Sequence, residues 1–165
     1  MIKKYKVGLV IGRFQPFHNG HKYLIKKALE NVEKVIIDIG SANILNKDNP
    51  FTFEQRKKMV EEFIKQEKLE DRVLKIVPTD DIPDNDEWAV KTLAACGQKI
   101  DVIISNNDSG VNVFFEKTGP EIMKVPYYKR YLLEGTRIRN LMREGKTWED
   151  RVPDYLVSQI KSFII

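Results

Sequence analysis

The 165-residue chain has the length of one ordinary domain and a net charge of +4. Its composition, 42% hydrophobic and 32% charged, indicates a packed core under a solvated surface and excludes a disordered or collagen-like chain. No apolar run is long enough to cross a bilayer, and the first apolar stretch is shorter than a secretory signal requires. The single cysteine, Cys96, allows neither an internal disulfide nor a multi-cysteine zinc site. We therefore expect one cytoplasmic domain over residues 1–165, without membrane or nucleic-acid partners.

Short apolar runs alternate with amphipathic segments along the chain. This pattern predicts strands at 7–11, 35–39, 73–77 and 102–104, and an edge strand at 121–125. It predicts helices at 20–31, 52–67, 84–97, 109–118, 136–144 and 153–163. Thr52 and Gln55 form a capping box at the start of the second helix. Nearly continuous apolar strands that alternate with helices predict an α/β fold, a doubly wound parallel sheet covered on both faces in three layers.

Polar loops follow four of the predicted strands, at 12–21, 40–43, 79–82 and 105–108. In doubly wound folds, ligands bind at the carboxyl ends of the strands. Four loops rich in glycine, serine and asparagine at one rim of the sheet therefore indicate a binding site there.

The first of these loops contains both histidines of the chain, His18 and His21, with Gly20 between them at the predicted start of a helix. The free N–H groups and the dipole of a helix N-terminus favour phosphate, and Gly20 allows close approach of the backbone. Arg13 adds a planar group of donors suited to phosphate oxygens. A metal site or a pair of purely structural histidines are the alternatives, although a metal would need further ligands from carboxylates.

Several segments resemble a known family. The sequence His18-Asn19-Gly20-His21 resembles the HxGH motif of the nucleotidyltransferase superfamily. The longer segment 12–21 is similar to the archaeal-type nicotinamide-nucleotide adenylyltransferases, and so, in order, are 40–42, 49–52 with Arg56, 81–82 with Asn85 and Trp88, 105–107, and 135–139. The resemblance covers nearly the whole chain. It implies transfer of AMP from ATP to nicotinamide mononucleotide (NMN), which forms NAD and pyrophosphate.

The resemblance also implies a role for each matching residue. Phosphate binding and charge stabilisation fall to His18, His21 and Arg139. Contacts with ATP are expected from Gly12, Arg13, Phe14, Gln15, Gly20, Asn106, Asn107, Gly135 and Thr136. Contacts with the nicotinamide nucleotide are expected from Ser41, Phe51, Arg56, Asp81, Asn85 and Trp88. Mg²⁺ would arrive with ATP, no metal would be held by the protein itself, and the chain would form a homo-oligomer, often a hexamer in this family.

Some readings stay open. Trp88 is either a core residue or a ring-stacking residue, Arg56 is either a ligand or a solvated charge, and the aspartates of 80–86 are either helix caps or site residues. Glu134 stands where the family usually carries serine. Another acceptor, such as flavin mononucleotide or phosphopantetheine, and a non-catalytic nucleotide-binding regulator are the competing functions. The absence of GxxxxGK[ST] and GxGxxG motifs argues against a P-loop kinase and a Rossmann dehydrogenase.

Overall fold

The structure, a computed structural model, describes residues 2–106 and 111–164. The strands are β1 (Tyr5–Gly12), β2 (Val32–Ile39), β3 (Val73–Pro78), β4 (Val102–Ser105) and β5 (Glu121–Lys124). The α-helices are α1 (Asn19–Asn31), α2 (Phe53–Gln66), α3 (Asn85–Ala95), α4 (Val111–Phe115), α5 (Gly135–Arg143) and α6 (Val157–Phe163). Short 3₁₀ turns at Glu149–Arg151 and Asp154–Leu156 lead into α6.

All the pairings within the described five-stranded sheet are parallel, in the order β3-β2-β1-β4-β5. The chain thus winds outward from β1 in one direction and then returns to β4 on the other side. This order confirms the doubly wound α/β fold predicted from the sequence. The switch point lies between β1 and β4, where open parallel sheets place their ligands.

The core consists of two apolar clusters, because successive side chains of each strand point to opposite faces of the sheet. Val10, Ile37 and Ile104 pack on one face, in the cluster that includes buried residues of α1, α2 and α5. Their neighbours Leu9, Ile36 and Ile103 pack on the other face, in a cluster with α3 and α4. Cys96 belongs to this second cluster and is fully buried, so it packs as a small apolar side chain.

The observed boundaries of several elements differ from the sequence-based ones by two to four residues. The first two strands begin earlier than predicted, at Tyr5 and Val32. The predicted helix at 153–163 is wrong in its first turn, since α6 begins only at Val157. Pro153 restricts the residue before it to extended geometry, and Val152 is indeed extended. Within the described residues, no helix is long and apolar enough to span a membrane.

Candidate active site

A cleft of about 660 Å³ lies over the carboxyl ends of β1, β2 and β4. Its walls come from the loops that follow these strands and from the first turns of α1, α3 and α5. The cleft therefore occupies the rim that the polar loops predict. Ser105 and Asn106 line it beside the switch point, whereas Asn107 lies outside the described residues.

The two histidines form a reciprocal cap at the start of α1. Nδ1 of His18 accepts a hydrogen bond from the backbone N–H of Gly20 at 3.0 Å, and Nδ1 of His21 accepts from the N–H of His18 at 3.1 Å. A neutral imidazole that accepts at Nδ1 carries its proton on Nε2. The rings stack with their centroids 3.7 Å apart, and both residues line the cleft. The cap thus leaves an Nε2–H donor on each ring.

Both imidazoles are held in the neutral form. Burial, followed by the charge of Arg139, lowers the pKa of His18 to about 3. Burial, followed by the neighbouring His18, lowers the pKa of His21 well below its ordinary value of 6.5. Phe14 and Phe17 contribute to this apolar surrounding, with ring centroids 4.6 Å and 5.5 Å from that of His21. The imidazole pair therefore offers directional donors to the cleft rather than positive charge.

Glycine is required between the two histidines. A Cβ atom at Gly20 would lie 2.7 Å from Cε1 and 2.9 Å from Nδ1 of His18, which is closer than carbon and nitrogen atoms tolerate. Any side chain would displace the imidazole that closes the cap. The glycine of the HxGH segment is thus explained by the space that the His18 ring needs, as well as by the approach of a ligand.

Arg139 supplies positive charge beside the histidines. Its side chain is buried, and Nη1 donates to the carbonyl oxygen of Gln15 at 2.8 Å while Nη2 donates to Oγ1 of Thr136 at 3.2 Å. A Cβ atom at Gly135 would lie 2.9 Å from Nη1, so glycine leaves room for the guanidinium under the first turn of α5. Arg13 is exposed at the same end of the cleft.

The opposite end of the cleft is built by the loops after β2 and β3. Oγ of Ser41 donates to both carboxylate oxygens of Asp81, at 2.9 and 3.0 Å. Asn43 exchanges two further hydrogen bonds with the backbone of Asp81. Trp88, half-buried at the start of α3, lines the cleft and packs edge-on against Phe115 with centroids 5.5 Å apart. Trp88 thus contacts the core and also faces the cleft, and its role in ring stacking stays a prediction.

Comparison with known proteins identifies the family. Residues 9–140 match the model of the cytidylyltransferase-like family. Nicotinamide-nucleotide adenylyltransferases of Halorubrum lacusprofundi and Thermoplasma acidophilum are each 36% identical to the chain, over 93% and 96% of its length and 85% and 87% of theirs. The chain belongs to the archaeal nicotinamide-nucleotide adenylyltransferase family. It is a nucleotidyltransferase, as its resemblance to that family implies.

A solved structure shows the same fold. It is that of a bifunctional NMN adenylyltransferase/ADP ribose pyrophosphatase from Francisella tularensis in complex with AMP and a manganese ion. The identity is 32% and the TM-score 0.72. The match covers 90% of this chain and 44% of that protein, so the chain spans less than half of the bifunctional enzyme.

Four residues for which the family resemblance implies ligand contacts lie behind the cleft instead of lining it: Phe14, Gln15, Phe51 and Arg56. Gln15 pairs with the backbone of Phe51 through two hydrogen bonds, at 2.9 and 3.0 Å. The Arg56 guanidinium is fully buried and donates to the carbonyl oxygens of Arg13, Gly40 and Ser41 at 2.7–3.1 Å. The reading of Arg56 as a solvated charge is therefore wrong.

The segment 127–136 contributes cleft residues that the sequence analysis does not assign to the site. They are Tyr127, Tyr128, Arg130, Leu133 and Glu134. This segment follows β5, the edge strand, and the strand-end rule applied to that fifth strand would have indicated it. The apolar and charged residues here lack the glycine- and asparagine-rich composition that marks the other four loops.

The described residues include no group of three or more histidine, cysteine, aspartate or glutamate side chains that could hold a metal ion. The two histidines also have their Nδ1 atoms occupied by backbone N–H groups. The reading of this pair as a metal site is therefore disfavoured by its geometry.

Proposed function

We propose that this chain transfers AMP from ATP to NMN and releases NAD and pyrophosphate. The observation that carries the proposal is the neutral, stacked imidazole pair that keeps two Nε2–H donors at the start of α1. Support for NMN as the acceptor comes from the names of the archaeal relatives, which match nearly the full length of the chain.

In the proposed reaction, a phosphate oxygen of NMN attacks the α-phosphorus of ATP, and the bond from that phosphorus to the bridging oxygen of pyrophosphate breaks. The attacking oxygen is already an anion, so no general base is needed. Such transfers depend mainly on positioning and on neutralising the charge that develops on phosphate oxygens. His18 and His21 would donate Nε2–H to these oxygens in their neutral form.

The positive charge would come from arginine and helix termini. Arg139 and Arg13 lie beside the imidazole pair, and the first turns of α1 and α5 both face the cleft. Backbone N–H groups at such turns bind phosphate oxygens; at α5 the Glu134 side chain does not cap them, whereas at α1 the N–H of Gly20 already donates to His18. Gly12 and Thr136 line the same end of the cleft, and Asn106, which also lines it, would contact the adenine of ATP.

The nicotinamide nucleotide would occupy the end of the cleft that contains Trp88. The indole of Trp88 would stack on the nicotinamide ring, and Asn85 would lie beside that ring. The hydrogen-bonded pair of Ser41 and Asp81 would lie near the ribose phosphate. Phe14, Gln15, Phe51 and Arg56 would support the loops from behind, since their side chains do not line the cleft.

A divalent ion would enter as the complex of Mg²⁺ with ATP. Mg²⁺ keeps several waters and binds mainly through substrate phosphates, which fits a cleft with two acidic side chains, Asp81 and Glu134, among its described residues. The manganese ion found with AMP in the Francisella protein supports a divalent ion in that relative. The homo-oligomeric state and the cytoplasmic location stay predictions.

The proposal is tested by following NAD formation from MgATP and NMN. A parallel panel replaces NMN with nicotinic acid mononucleotide, flavin mononucleotide or phosphopantetheine and measures pyrophosphate release. We expect NMN to give the highest kcat/KM of the panel. Rapid adenylylation of another acceptor without NAD formation would refute the assignment, and tight ATP binding without any pyrophosphate release would favour the non-catalytic regulator.

Three substitutions of His21 test the donor geometry. His21→Ala removes the Nε2–H donor and should lower kcat by roughly 10²-fold. His21→Gln places an amide N–H at the same reach and should retain more of the activity than His21→Asn, whose shorter side chain reproduces only the Nδ1 position. Equal activity of the Gln and Asn variants, with both folded by circular dichroism, would contradict a role for Nε2.

A further inference from the structure

Glu134 is an unexpected carboxylate at the phosphate end of the cleft. Of the described residues that line the cleft, Asp81 and Glu134 are the acidic ones, and Asp81 is bonded to Ser41 at the other end. Glu134 immediately precedes α5, and its side chain forms no hydrogen bond with the helix terminus. Its carboxylate is thus not used as a cap, although that position commonly uses one.

The carboxylate instead pairs with two arginines. Oε1 lies 3.7 Å from Nη2 of Arg130, and Oε2 lies 3.2 Å from Nε of Arg137. Arg130 lines the cleft and also stacks over the ring of Tyr127, 4.1 Å from its centroid. A protein carboxylate therefore already contacts the guanidinium that a ligand phosphate entering this end would meet.

We propose that Glu134 lowers the affinity of the site for phosphates by acting as an internal competitor of the substrate phosphates for Arg130. The inference rests on the proposed function. All three side chains are at least a third exposed, and exposed ion pairs of this kind are weak. A triphosphate carries more charge than a carboxylate and would displace it. Glu134 thereby lowers the affinity for ATP and for pyrophosphate, which favours release of the product.

The excess of positive charge at this end of the cleft explains why a competing carboxylate would help pyrophosphate to leave. Arg13, Arg130 and Arg139 all lie at this end of the cleft, together with two helix N-termini. Pyrophosphate is a compact, highly charged product, and several cations would retain it strongly. One fixed negative charge beside Arg130 reduces this retention without removing a donor from the reacting phosphates.

The test uses the full chain and measures the dissociation constants of inorganic pyrophosphate and ATP by calorimetry, with Mg²⁺, at several salt concentrations. Glu134→Gln removes the charge with little change in shape. Glu144→Gln removes the same charge at the far end of α5, where the glutamate pairs with Lys146. We expect Glu134→Gln to bind pyrophosphate roughly fivefold more tightly, with a steeper salt dependence, and Glu144→Gln to leave both unchanged.

Steady-state kinetics provide a second measurement. In Glu134→Gln the inhibition constant of pyrophosphate and the KM for ATP should fall together, while the KM for NMN stays constant, a split that a loss of folding would not produce. Unchanged or weaker pyrophosphate binding in this variant overturns the inference and leaves the proposed function intact. Failure of the unsubstituted chain to bind either ATP or pyrophosphate overturns both.

Discussion

Replacing Arg56 with lysine tests whether this buried guanidinium positions the two loops of the cleft. Arg56 extends from the first turn of α2 to the carbonyl oxygens of Arg13 at 2.8 Å and Gly40 at 2.7 Å through Nη1, and of Ser41 at 3.1 Å through Nη2. It therefore joins the loop after β1 to the loop after β2. Within the described residues it forms no ion pair, and burial lowers its pKa only to about 10, so it stays charged at neutral pH.

The expected loss of stability follows from the number of hydrogen bonds that lysine cannot replace. A lysine ammonium has the same charge but lacks the planar spread of donors, and it would satisfy about one of the three loop carbonyls. Two charge-assisted hydrogen bonds at ~1.5–3 kcal/mol each give a loss of ~3–6 kcal/mol in the free energy of unfolding. At ~2–4 °C per kcal/mol this lowers Tm by ~6–24 °C. Loop shifts near 1 Å would lower kcat/KM by roughly 10²-fold.

Arg72→Lys is the matched control. Arg72 donates to the carbonyls of Leu29, Val32 and Glu33 at 2.6–2.9 Å, a similar arrangement at the opposite end of β2 from the cleft. Thermal unfolding and NAD-forming kinetics are measured for both variants at a temperature where both are folded. We expect both to lose stability and Arg56→Lys alone to lose kcat/KM. Equal, small losses of kcat/KM in the two variants would refute the positioning role.

Three further predictions concern single residues. Burial raises the pKa of Asp38 to about 7, so the contribution of its protonation to stability is fully present below the ordinary pKa of 3.8 and is lost as pH rises through 7. Asp38→Asn should flatten the fall in Tm between pH 4 and 8 that this loss produces. Trp88→Ala should raise the KM for NMN by roughly 10-fold with little change in kcat, whereas Trp148→Phe, in the core, should change Tm alone. Gly20→Ala should displace the ring of His18 and lower kcat by roughly 10-fold or more at nearly unchanged Tm, and a normal kcat would contradict the steric account.

Local sequence rules predicted much of the fold because the relevant signals are short-range. The Thr52–Gln55 capping box forms as expected, and Asp84 caps α3 by accepting from the N–H of Glu87 at 2.9 Å. The alternation of apolar strands and helices also predicted the parallel sheet and, through it, the rim on which the cleft lies. Those inferences need only periodicity and neighbouring residues.

The sequence could not show which side of a loop faces the ligand. Arg56 is buried because loop carbonyls 15 to 43 residues away need donors, and no local pattern reports that need. Gln15 is likewise occupied by the backbone of Phe51 across 36 residues. The pairing of Glu134 with Arg130 and Arg137 has helical spacing, but its place at the mouth of the cleft depends on how the segment after β5 packs.

The two buried arginines and the two histidines make different contributions to the electrostatics of the cleft. Arg56 and Arg139 donate to carbonyl and hydroxyl oxygens rather than to carboxylates among the described residues, and Nε of Arg139 is buried without a hydrogen-bond partner, so neither charge is neutralised by a paired carboxylate. Positive potential therefore persists beneath the cleft before any ligand binds. That potential also disfavours protonation of His18, whose pKa is lowered by burial and by Arg139. Arginine thus provides the charge, while burial, aided at His18 by Arg139, lowers the pKa of both imidazoles so that they stay neutral and act as directional donors.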